Sequence, residues 1–286
     1  AQTEVAALLN GWSEAEKDAH FARGQPAYWL SFDAPTLAWQ AALVRDAAKA
    51  PKPLHIAHRV DTQRAITEVT VYTLDTHGLF ARLAGAFAVS GASIVDAKIF
   101  TLSDGMALDT FWIQDFDGMA FDRPERLQRL WARLELALTN RLDVNAELER
   151  QRPNYPTRDQ VFTVEPRVLI DNAASNTHTV IEVNGRDRPG FLHTVTRALT
   201  RCNLQIQSAH ITTYGERAVD VFYVKDLFGL KVVHDGKLDD IRRRVDEAIR
   251  AFDGRFAPRP VLGTNPAQMR RAAGAEPLPK EYSQAE

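Results

Sequence analysis

Two short stretches place a carboxylate three positions before a glycine and then open an apolar run with helical spacing. They are Asp75-Thr76-His77-Gly78-Leu79-Phe80 and Asp187-Arg188-Pro189-Gly190-Phe191-Leu192. A glycine there permits backbone angles closed to other residues, and a helix start leaves N–H groups that can receive an anion. In the second stretch Asp187 could accept from an ammonium while the N–H groups of Gly190 and Phe191 receive a carboxylate. That is the complementarity a free α-amino acid requires. The competing reading is a tight turn capped by Asp187. The first stretch departs from the second, with Thr76 in place of the arginine and His77 in place of the proline.

Such loops need a strand before them and a helix behind them. The β-branched run Ile66 to Thr73 predicts a strand, and Leu79, Phe80, Leu83, Ala86 and Phe87 fall on one helix face. Ser93 to Leu102 and Met106 to Gln114 follow as strands around the Ser103-Asp104-Gly105 turn, and a helix is expected from Pro124 to Thr139. Residues 140–160, with Pro153 and Pro156, read as an inserted loop, and Val161 to Ile170 as the fourth strand. The order then repeats. Phe191, Leu192, Val195, Ala198 and Leu199 each lie 112 positions after a residue of the first helix face. Gln205 to Tyr214 and Ala218 to Val224 make the second hairpin, Leu238 to Phe252 the second helix, and a last strand is expected within 255–263. Asp109-Thr110-Phe111 aligns with Asp220-Val221-Phe222, so Asp and Phe share a sheet face in each copy.

The pattern predicts an α+β fold, two tandem ferredoxin-like βαββαβ units behind a helical N-terminal segment. Side-by-side pairing of the units into one sheet would bury their edges and bring both glycine loops near the junction. The expected boundaries are 1–60 for the helical segment and linker, 61–172 for the first unit, 173–262 for the second and 263–286 for a mobile tail. In the leading segment Asp33 before Ala34-Pro35 is a plausible helix cap, and the helix should run to Lys49. His55 and His58 have helix-face spacing and read as surface or packing residues.

Composition excludes several function classes. The 286 residues are 45% hydrophobic, enough for a sizeable core, and 35 basic residues against 37 acidic ones offer no nucleic-acid surface. The run Arg242-Arg243-Arg244 reads as a solvated helix face. A single cysteine, Cys202, rules out an internal disulfide framework and fits a reducing cytoplasm. No apolar run is long enough to span a membrane. His234-Asp235 lacks the further ligands of a metal site, and no phosphate-binding or nucleophile-elbow motif occurs. A chain beginning at Ala1 suggests a piece of a longer protein, although processing leaves the same end.

The loop Asp187 to Leu192, followed by Gln205-Ile206-Gln207-Ser208-Ala209-His210-Ile211 and Asp220-Val221-Phe222-Tyr223-Val224, resembles the ACT domain, a regulatory module for amino acids. The pair of units is similar to the C-terminal end of the bifunctional uridylyltransferase/uridylyl-removing enzymes of bacterial nitrogen control. Ala27-Tyr28-Trp29-Leu30-Ser31-Phe32-Asp33 and Asp109-Thr110-Phe111-Trp112-Ile113-Gln114-Asp115 look like the same family. The resemblance implies a nucleotidyltransferase and a His-Asp phosphohydrolase upstream, with magnesium there and no cofactor in this chain. It further implies glutamine control of the uridylylation of the PII signalling protein. It places ligand contacts at Asp187, Arg188, Gly190, Phe191 and Leu192 with Gln205 and Ile206, and in the first copy at Asp75, His77, Gly78, Leu79 and Phe80 with Ser93 and Ile94. The implied partners are L-glutamine, the upstream domains and PII through the whole enzyme; a second copy of the chain is left open. Two alternatives stand beside this reading: an ACT-repeat regulator acting by protein contact alone, and an enzyme with an unrecognised active site.

Overall fold

The computed structural model describes residues 2–50, 52–151, 164–214 and 217–255. Four helices lead: α1 (Gln2–Leu8), α2 (Glu14–Phe21), α3 (Pro26–Trp29) and α4 (Ala34–Lys49). Ser13 and Glu16 form a capping box on α2, and the Asp33 side chain accepts from the Thr36 N–H to cap α4, with Pro35 in the first turn. The first unit is β1 (Leu54–Asp61), β2 (Ile66–Leu74), α5 (Leu79–Val89), β3 (Ser93–Lys98), β4 (Met106–Gln114) and α6 (Pro124–Leu138). After α7 (Val144–Gln151) come β5 (Arg167–Asp171), β6 (Thr179–Arg186), α8 (Phe191–Arg201), β7 (Leu204–Tyr214), β8 (Arg217–Asp226) and α9 (Asp235–Arg255).

All described strands form one antiparallel sheet in the order β1-β2-β4-β3-β7-β8-β6-β5. The units meet through β3 and β7 at Ala97 and Ala209, which are equivalent positions of the repeat. Antiparallel pairing of a residue with its own counterpart is what a local two-fold axis produces. On one side of the sheet α5 lies beside α8, where His193 Nδ1 sits 2.7 Å from the Ala81 carbonyl oxygen. A Cβ on Gly85 would stand 2.6 Å from Val144 and 2.9 Å from His193, so only glycine allows this approach.

The edge strands differ from the sequence expectation. Each unit takes its outer strand from the residues before its first central strand, giving ββαββα order in a ferredoxin-like sheet. Leu54–Asp61, assigned above to the helical segment and linker, is such a strand, and it pairs with β2. His55 and His58 therefore sit on a strand, packed near Tyr72 and Trp131 rather than on a helix face. The described part of the expected fourth strand of the first unit, β5, pairs instead with β6 of the second unit. Arg167 faces Asn184 as His55 faces Tyr72, each member 112 positions on, so the repeat includes the edge strand. A fourth strand after α6 would have to occupy the place that β1 already fills. Residues 140–160 are not all loop, since they contain α7. The expected last strand after α9 and the tail lie outside the described residues.

Burial explains why the two halves look different in sequence. In β2 all but the last residue are buried, because α5 and α6 cover one sheet face and α4 the other. A buried hydrogen-bond chain ties α3 and α4 to the sheet: Tyr28 Oη donates to Gln40 Oε1 at 2.9 Å, and Gln40 Nε2 donates to Thr110 Oγ1 at 3.0 Å. Strand β8, covered on one face, alternates between buried and half-buried residues. On the helix-covered face of the central strands, beside Phe111 and Phe222, lie two fully buried carboxyls, Asp109 and Asp220. Burial, and next the charge of Asp187, pushes Asp220 up to about 8. Burial, reinforced by Asp75, holds Asp109 well above the usual carboxylate range.

Two stability effects follow. Gly11→Ala, at φ 74° in open space, should cost only the ~1–2 kcal/mol of a left-handed backbone. Gly190→Ala, at φ 91° with Leu148 Cδ1 2.4 Å from the new methyl, should cost at least ~1 kcal/mol more in urea unfolding. For Asp220 the unfolded pKa is about 3.9 and the folded one higher, so between those values the folded state binds the extra proton and stability falls as pH rises. Asp220→Asn should therefore raise the melting temperature more at pH 8 than at pH 4.5, and an equal effect at both would contradict the assignment.

Candidate functional site

Both glycine loops adopt the same local structure. Gly78 and Gly190 are the N-caps of α5 and α8 with φ 78° and 91°, angles that a side chain rarely tolerates. The Leu79 N–H donates to Thr76 O at 2.9 Å, and the Phe191 N–H to Arg188 O at the same distance. Each turn thus uses the first helical N–H itself. An incoming anion would meet the later N–H groups of the first turn, which have no carbonyl four residues back. The loop carboxylates are held alike, Asp75 accepting from Thr101 Oγ1 and Asp187 from Thr213 Oγ1, the latter at 3.3 Å. Beneath them the Phe100 N–H donates to Asp109 at 3.3 Å, and the Thr212 N–H supports Asp220 in the same way.

The loops differ in what stands against them. Residues Asp75 to Phe80 form one wall of a recess of about 90 Å³. The opposite wall is the start of β7, Leu204 to Gln207, and Ile99, Asp109 and Thr200 complete the lining. The side chain of His77 reaches across to the second unit, its Nε2 3.0 Å from the Thr200 carbonyl oxygen. Arg82 donates to the His77 carbonyl at 3.3 Å and to Thr76 Oγ1, so the loop is fixed from its own helix. At that volume the recess suits the head of a small metabolite and falls well short of the roughly 300–1,000 Å³ of drug-sized pockets.

Around the second loop the chain itself fills the space. Leu148 of α7 and Phe252 of α9 press on Gly190, so α7 covers the ground where a ligand would approach that glycine. Arg188 points toward Asp253 at 3.8 Å, and burial raises Asp187 above its ordinary pKa.

The structure does not bring Gln205 and Ile206 together with Asp187, Arg188, Gly190, Phe191 and Leu192 in this recess. It sets them opposite Asp75, His77, Gly78, Leu79 and Phe80. The reason is the two-fold pairing through β3 and β7, which carries the start of β7 to the other unit's loop. Ser93 and Ile94, expected beside the first loop, begin β3 outside the recess, with Ile94 buried in the core. Asp109, Thr101, Thr200 and Gln207 were not singled out as ligand positions. The Asp109 signal was present in the sequence, as an acid sharing a sheet face with Phe111; Thr200 has no local signal, because only inter-unit packing brings it to Gly78.

Among the described residues no group of three or more His, Cys, Asp or Glu could hold a metal ion, and no helix is long and apolar enough to cross a membrane. Cys202 ends α8 half-buried, its thiol pushed up by burial. Arg242, Arg243 and Arg244 pair along α9 with Asp239, Asp240 and Glu247, as a solvated helix face does.

Residues 174–251, the second unit, match the family model described as the ACR family N-terminal ACT domain. Bifunctional uridylyltransferase/uridylyl-removing enzymes are similar over most of the chain. That of Azospirillum brasilense is 53% identical over 87% of this chain and 27% of its own length. That of Rhodospirillum rubrum is 49% identical over 86% and 26%, and that of Gluconobacter oxydans 51% identical over 80% and 24%. Among solved structures, aspartate kinase from Synechocystis overlays 65% of this chain and 27% of its own with a TM-score of 0.35 at 15% identity. Over most of its length the chain is thus similar to the bifunctional uridylyltransferase/uridylyl-removing enzymes, with an ACT-domain match over its second unit, and it spans about a quarter of the length of the curated relatives it matches.

Proposed function

We propose that this region is an allosteric amino-acid sensor, that it binds L-glutamine in the recess between the first loop and β7, and that occupancy biases catalytic domains outside this chain between adding uridylyl groups to the PII protein and removing them. The observation that carries the proposal is the composite wall. A ligand there touches both units at once, so its binding energy acts on how they are set against each other. The helix start of α5 offers N–H groups for a carboxylate, Asp75 and Asp109 offer acceptors for an ammonium, and Gln205 and Gln207 can exchange hydrogen bonds with a side-chain amide. Metabolite sensing needs no tight site: a millimolar dissociation constant is about 4 kcal/mol, and a coupling of roughly 1–3 kcal/mol biases a two-state equilibrium several-fold or more. The magnesium that the family implies would belong to the catalytic domains.

Titration calorimetry of the chain against a panel of amino acids tests this reading. Glutamine should bind at one site per chain. Gly78→Val, which adds strain at φ 78° and puts its Cβ 3.0 Å from Thr200, should abolish the heat. Arg188→Ala, outside the recess, should leave the affinity within about twofold. Loss with Arg188→Ala and retention with Gly78→Val would move the site to the second loop. Heat with no amino acid, or uridylyl transfer or removal by this chain alone, would overturn the proposal.

A further inference from the structure

Asp75, the carboxylate singled out by its spacing, is exposed and already accepts from Thr101 Oγ1. Asp109 is the opposite case: 1% exposed, on the recess wall, its Oδ1 taken by the Phe100 N–H and its Oδ2 without a hydrogen-bond partner among the described residues. An unsatisfied buried carboxyl costs stability, and a fold normally spends a hydrogen bond to avoid it. Here the fold leaves the oxygen unpaired, and it does so twice, because Asp220 at the equivalent position of the other unit also has a buried oxygen without a partner.

We propose that Asp109 is the residue that receives the ammonium of the amino acid bound in this recess, and thereby the group that selects α-amino acids over their amine-free analogues. The inference rests on the recess being the amino-acid site. The titratable residues lining the recess with Asp109 are Asp75 and His77, Arg82 stands behind the loop on α5, and the β7 wall supplies only neutral side chains. Among the described lining residues no lysine or arginine competes for that oxygen. Burial and the Asp75 charge favour the neutral acid in the empty recess. An arriving ammonium reverses that preference: the carboxyl proton leaves to solvent, and the carboxylate accepts a charge-assisted hydrogen bond from the ammonium. Charge balances, with one proton released to buffer for each fully protonated Asp109 that ionises.

The test compares L-glutamine with glutaramate, the same chain lacking the amino group, by calorimetry in two buffers of different ionisation enthalpy. The intact chain should favour glutamine at least tenfold and release protons on binding it. Asp109→Asn, its fold checked by circular dichroism, should weaken glutamine more than tenfold, leave glutaramate within twofold and abolish the proton release. Asp109→Ser serves the same comparison if the Asn variant does not fold. Equal weakening of both ligands, or no weakening of either, would assign Asp109 a structural role and overturn this inference while the sensing reading stands. Failure of the intact chain to bind either ligand would remove the amino-acid site itself, and this inference with it.

Discussion

The constraint on which the rest depends is the pairing of β3 with β7 at equivalent residues. Ala97 and Ala209 are both fully buried, and at a junction where a residue meets its own counterpart, a bulky side chain would collide with a copy of itself. The same pairing continues the sheet across both units and protects two edges that would otherwise be open. It also sets α5 against α8 on the covered side, close enough that Gly85 has no room for a methyl group. Every feature of the recess follows from it. The loop comes from one unit, the facing strand from the other, and neither unit alone has both walls.

A local two-fold should make two such recesses, so the interest lies in what breaks the symmetry. The connection from the first unit to the second carries α7, which packs on α5 and sends Leu148 onto Gly190. Gln151 of the same helix donates to the Val89 carbonyl at 2.8 Å and anchors its end. The N-terminal helices add a second asymmetry, covering the back of the first unit's sheet, while among the described residues no helix covers the back of the second and β8 there is only half-buried. The loop richer in the family pattern is thus the one filled by the protein's own side chain, and the loop that departs from it faces open space. Sequence likeness within a repeat describes the shared scaffold, and what covers each copy decides which one stays open.

Much of the fold was legible in the sequence because it is locally encoded. The strand bounds Met106 to Gln114 follow from β-branched alternation, the Asp33 cap from residue type, and the two helix faces from spacing. The edge strands were not legible. Leu54–Asp61 carries two histidines, an arginine and an aspartate and is only partly buried, so it lacks the apolar signal of a central strand. Helix α7 was hidden by its charged composition and by the prolines after it. The candidate site divided in the same way. Carboxylate, glycine and helix start could be read directly, whereas the partnership of Gly78 with Thr200 and of the first loop with Gln205 depends on which strand edges meet, a long-range choice that no window of sequence contains.

The buried acids sharpen what a loop of this kind can do. A helix start alone attracts anions, and an exposed aspartate in water contributes little selectivity, since solvent screens it and the ammonium keeps most of its hydration. Placing the acid one layer down, on a central strand, changes the balance. The desolvated carboxyl is costly when ionised and empty, so a cation that can enter and satisfy it gains more there than at the rim. The strand that carries Asp109 also carries Phe111, which packs against Phe87 in the last turn of α5 with ring centroids 4.8 Å apart. Helix α5 in turn lies against α8 of the other unit. Strand β4, which carries this acid, is the immediate neighbour of β3, so the buried carboxyl lies one strand away from the junction of the two units.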